Sequence, residues 1–139
     1  MKKSILKITI LLLLIIIIIW LLYFKGILGK KPFKNLNYSD ISSISVLANP
    51  PNRAVLIREN KQIKEITDML NTIVTYQRND SGKDIVGQFV QFTLTMKDGS
   101  TLKVGTYNPF ILINGKFYKT KYEPCEKLNS LGNKLINDK

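Results

Sequence analysis

No charged side chain occurs between Ile8 and Phe24, and this stretch decides which solvent the rest of the chain meets. Extended back through Lys7 to Ile5, the run spans roughly 30 Å at ~1.5 Å per helical residue, the thickness of a bilayer core. A cleavable signal peptide has a shorter apolar region, about 7–15 residues, followed by small residues of the Ala-x-Ala kind. Here Trp20, Leu21, Leu22, Tyr23, Phe24 and Lys25 follow instead, and the single cysteine, Cys125, is too distant to carry a lipid beside the run. The pattern predicts a retained transmembrane helix over residues 5–24, behind a cytoplasmic leader at 1–4. Trp20 and Tyr23 fall near its end, where amphipathic rings favour the membrane interface, while Lys7 and Lys25 reach out of opposite ends.

The positive-inside rule sets Lys2, Lys3 and Lys7 on one side against Lys25, Lys30, Lys31 and Lys34 on the other, which is nearly a tie. The basic leader nevertheless has the form of a signal-peptide n-region, which stays in the cytoplasm while the following chain crosses. The expectation is therefore an extracytoplasmic C-terminal part. Usage rich in Lys and Ile suggests an AT-rich genome, and a bacterial plasma membrane is the working compartment.

Residues 25–38 carry Gly, Pro and Lys without a repeating apolar pattern and read as a juxtamembrane tether. Residues 39–139 then form one domain, large enough for a single core and too small for two. With one cysteine no internal disulfide is possible.

Within that domain Ile44 to Ala48 alternates apolar with small polar residues, and "NPPN" forces a break, since prolines do not sit in a central strand. Arg53 to Arg58 continues as a second strand. Asn60 is placed to cap a helix on which Ile63, Ile66, Leu70 and Ile73 recur at spacings of three and four. "VTYQR" resumes the strand pattern, and "RNDSGKD" reads as a polar loop.

The clearest strand signal is "QFVQFTLTMKDGSTLKVGTY". A two-residue Asp98-Gly99 turn pairs Leu94 with Lys103 and mixes apolar and polar residues on one face. A three-residue Lys97-Asp98-Gly99 loop, with Gly99 left-handed, pairs Leu94 with Leu102 and Phe92 with Val104, so turn and pattern agree. A second hairpin follows at Asn114-Gly115, where two- and three-residue turns fit equally well. Pro124 stands near the start of a last helix with Cys125, Leu128, Leu131 and Leu135 on one stripe. The order is strand, strand, helix, about five strands, helix. The fold expected is α+β: a transmembrane helix, then a two-layer domain in which a curved antiparallel sheet carries both amphipathic helices on one face. The other face is expected to present Thr, Gln and Lys to solvent.

The stretches "ISSISVLANPPNRAVLIREN", "FTLTMKDGSTLKVG" and "ILINGKFYKT", with the closing leucine stripe, resemble small membrane-anchored extracytoplasmic proteins of unknown function from low-GC Gram-positive bacteria. The resemblance covers most of the soluble part. It implies a location and a fold type, and no activity or site residue comes with it.

The chain has no histidine, which removes the commonest general base near neutral pH, the Ser-His and Cys-His pairs and most zinc sites. It also has no Gly-x-x-x-x-Gly-Lys loop and no Gly-x-Gly-x-x-Gly. Cys125, near a helix start, is the one candidate nucleophile, but its place on the leucine stripe and its neighbours Glu123 and Glu126 favour a packed, protonated thiol. Asp80, Asp84 and Asp98 fall in loops, where acids shape turns, so neither a carboxylate pair nor any cofactor or metal ligand set stands out.

The formal charge is +11, and eight of those charges remain when Lys2, Lys3 and Lys7 are set aside. Beside a membrane the nearest anions are lipid headgroups and cell-wall polymers, and Lys25, Lys30, Lys31 and Lys34 are the candidate contacts by position. Nucleic-acid binding is the rival for a basic sheet, and "KFYKTKY" interleaves aromatics with lysines. It ranks lower, because strand alternation turns some of Phe117, Tyr118 and Tyr122 inward and an outside location removes the partner. The expectation is a non-enzymatic, membrane-tethered binding, sensing or immunity-type module with an unidentified protein or polymer partner.

Overall fold

A helix satisfies its own backbone polar groups, which suits a continuous apolar sequence. Lys2–Phe24 forms such a helix, α1, in the computed structural model, which describes residues 2–24, 26–84 and 86–138. From Ser4 to Phe24 it is long and apolar enough to cross a membrane, and none of that window is buried by the rest of the chain. A glycine stop ends it. The Gly26 amide, at φ 70°, donates to the Tyr23 carbonyl at 3.0 Å, and the Ile27 amide donates to that of Leu22 at 3.1 Å, the bond pair of a Schellman motif.

The remaining elements are β1 (Ile41–Asn49), β2 (Arg53–Ile57), α2 (Asn60–Thr72), β3 (Thr75–Arg78), β4 (Phe89–Met96), β5 (Thr101–Tyr107), β6 (Phe110–Ile113), β7 (Lys116–Thr120) and α3 (Tyr122–Asn137). The seven strands make one open antiparallel sheet in the order β2-β1-β4-β5-β6-β7-β3, so β2 and β3 are its edges. The α+β class and the element order agree with the sequence pattern.

Two turns set the register. At the β4–β5 turn Leu94 faces Leu102 and Phe92 faces Val104, with Gly99 at φ 86°, as the three-residue loop requires. At the β6–β7 turn Ile113 faces Lys116, so the loop is two residues, with Asn114 at φ 45° and Gly115 at φ 82°, both in the left-handed region that a type I′ turn demands.

On the inner face Ile44, Val46, Val90, Phe92, Leu94 and Val104 are fully buried and form one core cluster with Ile63, Ile66 and Leu70 of α2 and Leu128, Leu131 and Leu135 of α3. Each such side chain contributes about 1.5–3 kcal/mol by leaving water. Helix α3 lies across β1, β4, β5 and β2, while α2 packs against α3 and β1.

Four expectations need correction. Asn60 is the first residue of α2 rather than its cap; Glu59 takes the capping position and makes no side-chain cap bond. The stretch Asp80–Asp84 is a short 3-10 helix packed on β7, and the ring of Phe117 fills the space where Gly82 lacks a side chain. The outer face is only partly polar. Gln91, Thr93 and Lys103 lie there as expected, but so do Phe89, Tyr107 and Phe117; Phe89 and Tyr107 stack at 4.8 Å between ring centres, with the Phe89 ring directly over Gly105. Finally, the segment read as a juxtamembrane tether packs on the domain in part: Phe33 is 3% exposed in the core, and Asn71 Nδ2 donates to the Leu36 carbonyl at 3.4 Å.

Candidate functional site

The junction between α1 and the sheet gathers most of the residues to which the sequence points. Just past the Schellman turn, Gly26 and Gly29 both have positive φ and lie against β3. A Cβ at Gly26 would stand 3.1 Å from the Gln77 amide nitrogen, and one at Gly29 would stand 2.7 Å from a Val74 methyl and 2.9 Å from the Tyr76 ring. Glycine is needed at both points for conformation and for space. The approach lets Lys30 pair with Thr75, amide to carbonyl at 2.7 Å in each direction, and the Thr75 hydroxyl adds a bond to the Lys30 carbonyl at 3.3 Å. Edge strand β3 thus gains a one-residue partner from the segment that leaves α1.

This pairing shapes a groove of about 590 Å³. Lys30, Lys31 and Lys34 line it from the connecting segment, Tyr23 from the last turn of α1, and Thr75 and Tyr118 from β3 and β7. The Lys30 ammonium sits 4.8 Å from the centre of the Tyr23 ring, within cation–π range. Among the described residues no carboxylate lines the groove, and the ion pairs involve other cations: Lys64, Arg78, Lys83 and Lys127. The groove is therefore cationic over an aromatic and aliphatic floor.

Of the six residues singled out by sequence, Tyr23, Lys30, Lys31 and Lys34 meet in this groove. Trp20 does not; it is exposed on α1, with its ring 5.3 Å from that of Phe24. Lys25 lies outside the described residues. The sequence reading missed Gly29, Thr75 and Tyr118. It also passed over Gly26, for which a signal exists, a glycine just after a long apolar run, whereas nothing local marks Thr75 as the partner of a residue so far upstream.

The other chemical candidates are occupied structurally. Cys125 is fully buried with Sγ 3.5 Å from the Phe110 carbonyl, and burial, reinforced by the nearby Glu126 carboxylate, pushes its pKa up to about 12. Asp98 accepts from the Ser100 hydroxyl at 2.6 Å and the Ser100 amide at 2.8 Å, which lowers its pKa and shapes the hairpin turn. Asp80 faces Arg78 and Lys83 at the surface. In "KFYKTKY" Phe117 is buried beneath the short helix, Tyr118 packs against the core and only Tyr122 stands well exposed, so the aromatics do not form one stacking platform.

No family model matches the chain, and no curated protein or solved structure does.

Proposed function

We propose that this chain is a single-pass membrane protein displaying one non-enzymatic α+β domain outside the cytoplasm, where it acts as a binding, sensing or immunity-type module. The observation that carries this reading is the junction: a helix with the length and apolarity of a membrane span ends in a glycine turn, and Lys30 then pairs with Thr75 at the sheet edge. A domain held this closely to a bilayer keeps one orientation and a high effective concentration near the surface. The outer sheet face, where the stacked pair Phe89 and Tyr107 adjoins Gln91 and Thr93, offers a partner both apolar contact and hydrogen bonds.

Protease added to intact, wall-stripped cells tests the arrangement, with a cytoplasmic protein as internal control and detergent lysis for comparison. Digestion of the C-terminal domain before lysis is the expected result. Protection until lysis overturns the orientation and returns nucleic acid to the front of the partner list.

A further inference from the structure

The groove at the junction has a depth as well as a charge, and the two together select a ligand. The choice of ligand rests on the membrane reading above. If α1 spans a bilayer, the 21 residues Ser4–Phe24 cover the hydrocarbon core, and Tyr23 in its last turn stands at the interface. Tyr23 is one wall of the groove, so the groove opens at the level of the lipid headgroups in whichever leaflet the domain adjoins. At that level the abundant anion is the phosphodiester of a phospholipid.

Three features match that ligand. Lys30, Lys31 and Lys34 all line the groove and among the described residues no carboxylate does, so their charge is not neutralised by a lining acid. The Tyr23 ring and the paired Lys30 backbone hold one of the three in position before any ligand arrives, which reduces the entropy lost on binding. Pro32 and Ile113 supply apolar lining, suited to the glycerol and first methylenes of a lipid rather than to a free, fully hydrated anion. We propose that this groove binds the phosphate headgroup of an anionic phospholipid from the adjoining leaflet, with Lys30, Lys31 and Lys34 as the charge-bearing contacts.

The test uses the full chain in nanodiscs of phosphatidylcholine with and without phosphatidylglycerol, reading co-retained lipid by native mass spectrometry. The variant K30Q/K31Q/K34Q is compared with K61Q/K97Q/K134Q, which removes equal charge from exposed lysines outside the groove. Because each lysine near an anionic surface adds to the attraction, the groove variant is expected to lose phosphatidylglycerol retention by at least about tenfold while the control keeps it. Equal retention by both variants overturns the proposal. So does displacement of the lipid by millimolar inorganic phosphate, which would make the site one for soluble phosphate. A chain that enters nanodiscs but shows no preference for phosphatidylglycerol defeats the groove alone, whereas a chain that never enters them defeats the membrane reading and the groove with it.

Discussion

Lys30 and Thr75, 45 residues apart in the chain, exchange both of their backbone hydrogen bonds at 2.7 Å. The pairing links the segment leaving α1 to the last strand of the sheet, and it covers part of an edge that would otherwise present unpaired amides and carbonyls. It also fixes where three lysines stand relative to Tyr23. Several consequences can be measured.

Gly29 permits this pairing, because at φ 71° a side chain there is both strained and blocked by Val74 and Tyr76. In Gly29→Ala the left-handed backbone alone costs about 1–2 kcal/mol, and the contact with Val74 adds to it. Release of the segment from β3 relieves both. Amide hydrogen exchange at Thr75 is expected to accelerate strongly in this variant while the amides of β4 and β5 keep their protection. Unchanged protection at Thr75 would show that the pairing does not depend on the glycine.

Phe33 makes the connecting segment part of the fold. A buried phenylalanine truncated to alanine costs about 3–5 kcal/mol, whereas exposed Lys31→Ala is expected within about 0.5 kcal/mol of the parent. Urea unfolding of the domain with and without residues 30–38 should repeat the contrast, the shorter version being less stable by a comparable amount. A chain beginning at residue 39 that is as stable as the longer one would remove Phe33 from the core.

The difference between what the sequence discloses and what it hides follows from the range of the interactions. The β4–β5 register is legible because alternation over Phe92, Leu94, Leu102 and Val104 and the left-handed Gly99 give the same answer within one hairpin. The next hairpin is ambiguous because Ile111, Leu112 and Ile113 are apolar on both faces, so alternation cannot choose between a two- and a three-residue loop. The outer aromatic cluster is hidden for a related reason: Phe89, Tyr107 and Phe117 each look like core residues, and only the glycines against them, Gly105 beneath Phe89 and Gly82 over Phe117, reveal a second packed layer. The lysines of the groove are legible from their position after the apolar run. Its far wall, Thr75 and Tyr118, is not, since the contact is made across the sheet and leaves no periodic trace.

Gly132 sets two effects of opposite sign against each other. In a helix interior, alanine is favoured over glycine by about 1 kcal/mol, so Gly132→Ala in α3 should stabilise if propensity decided the matter. Yet the new Cβ would stand 2.4 Å from a Val90 methyl and 3.0 Å from the Phe92 ring, both on fully buried and conformationally restricted side chains. Overpacking costs typically 1–3 kcal/mol. The net expectation is a loss of up to about 2 kcal/mol in chemical denaturation. A gain in stability would mean that α3 rides higher on the sheet than its contacts with Val90 and Val46 indicate.

Cys125 gives the fold a dependence on alkaline pH whose sign follows from linkage. Its pKa is about 12 in the folded chain against an ordinary 9.0, chiefly because burial disfavours the thiolate, with Glu126 adding to the effect. Well below pH 9 the thiol is protonated whether or not the chain is folded, and it contributes no pH dependence. Between 9 and 12 the unfolded chain releases this proton while the folded chain holds it, so unfolding is increasingly favoured as pH rises. One proton corresponds to at most about 1.4 kcal/mol per pH unit. Lysines and tyrosines titrate in the same window, so the informative quantity is the difference between the parent and Cys125→Ala. The parent is expected to lose stability more steeply with pH than the variant, although the variant starts lower because of the cavity. The same burial should leave the thiol unmodified by iodoacetamide under native conditions and reactive once the chain is unfolded. Parallel stability curves for the two proteins, or ready native alkylation, would show that Cys125 is in contact with water.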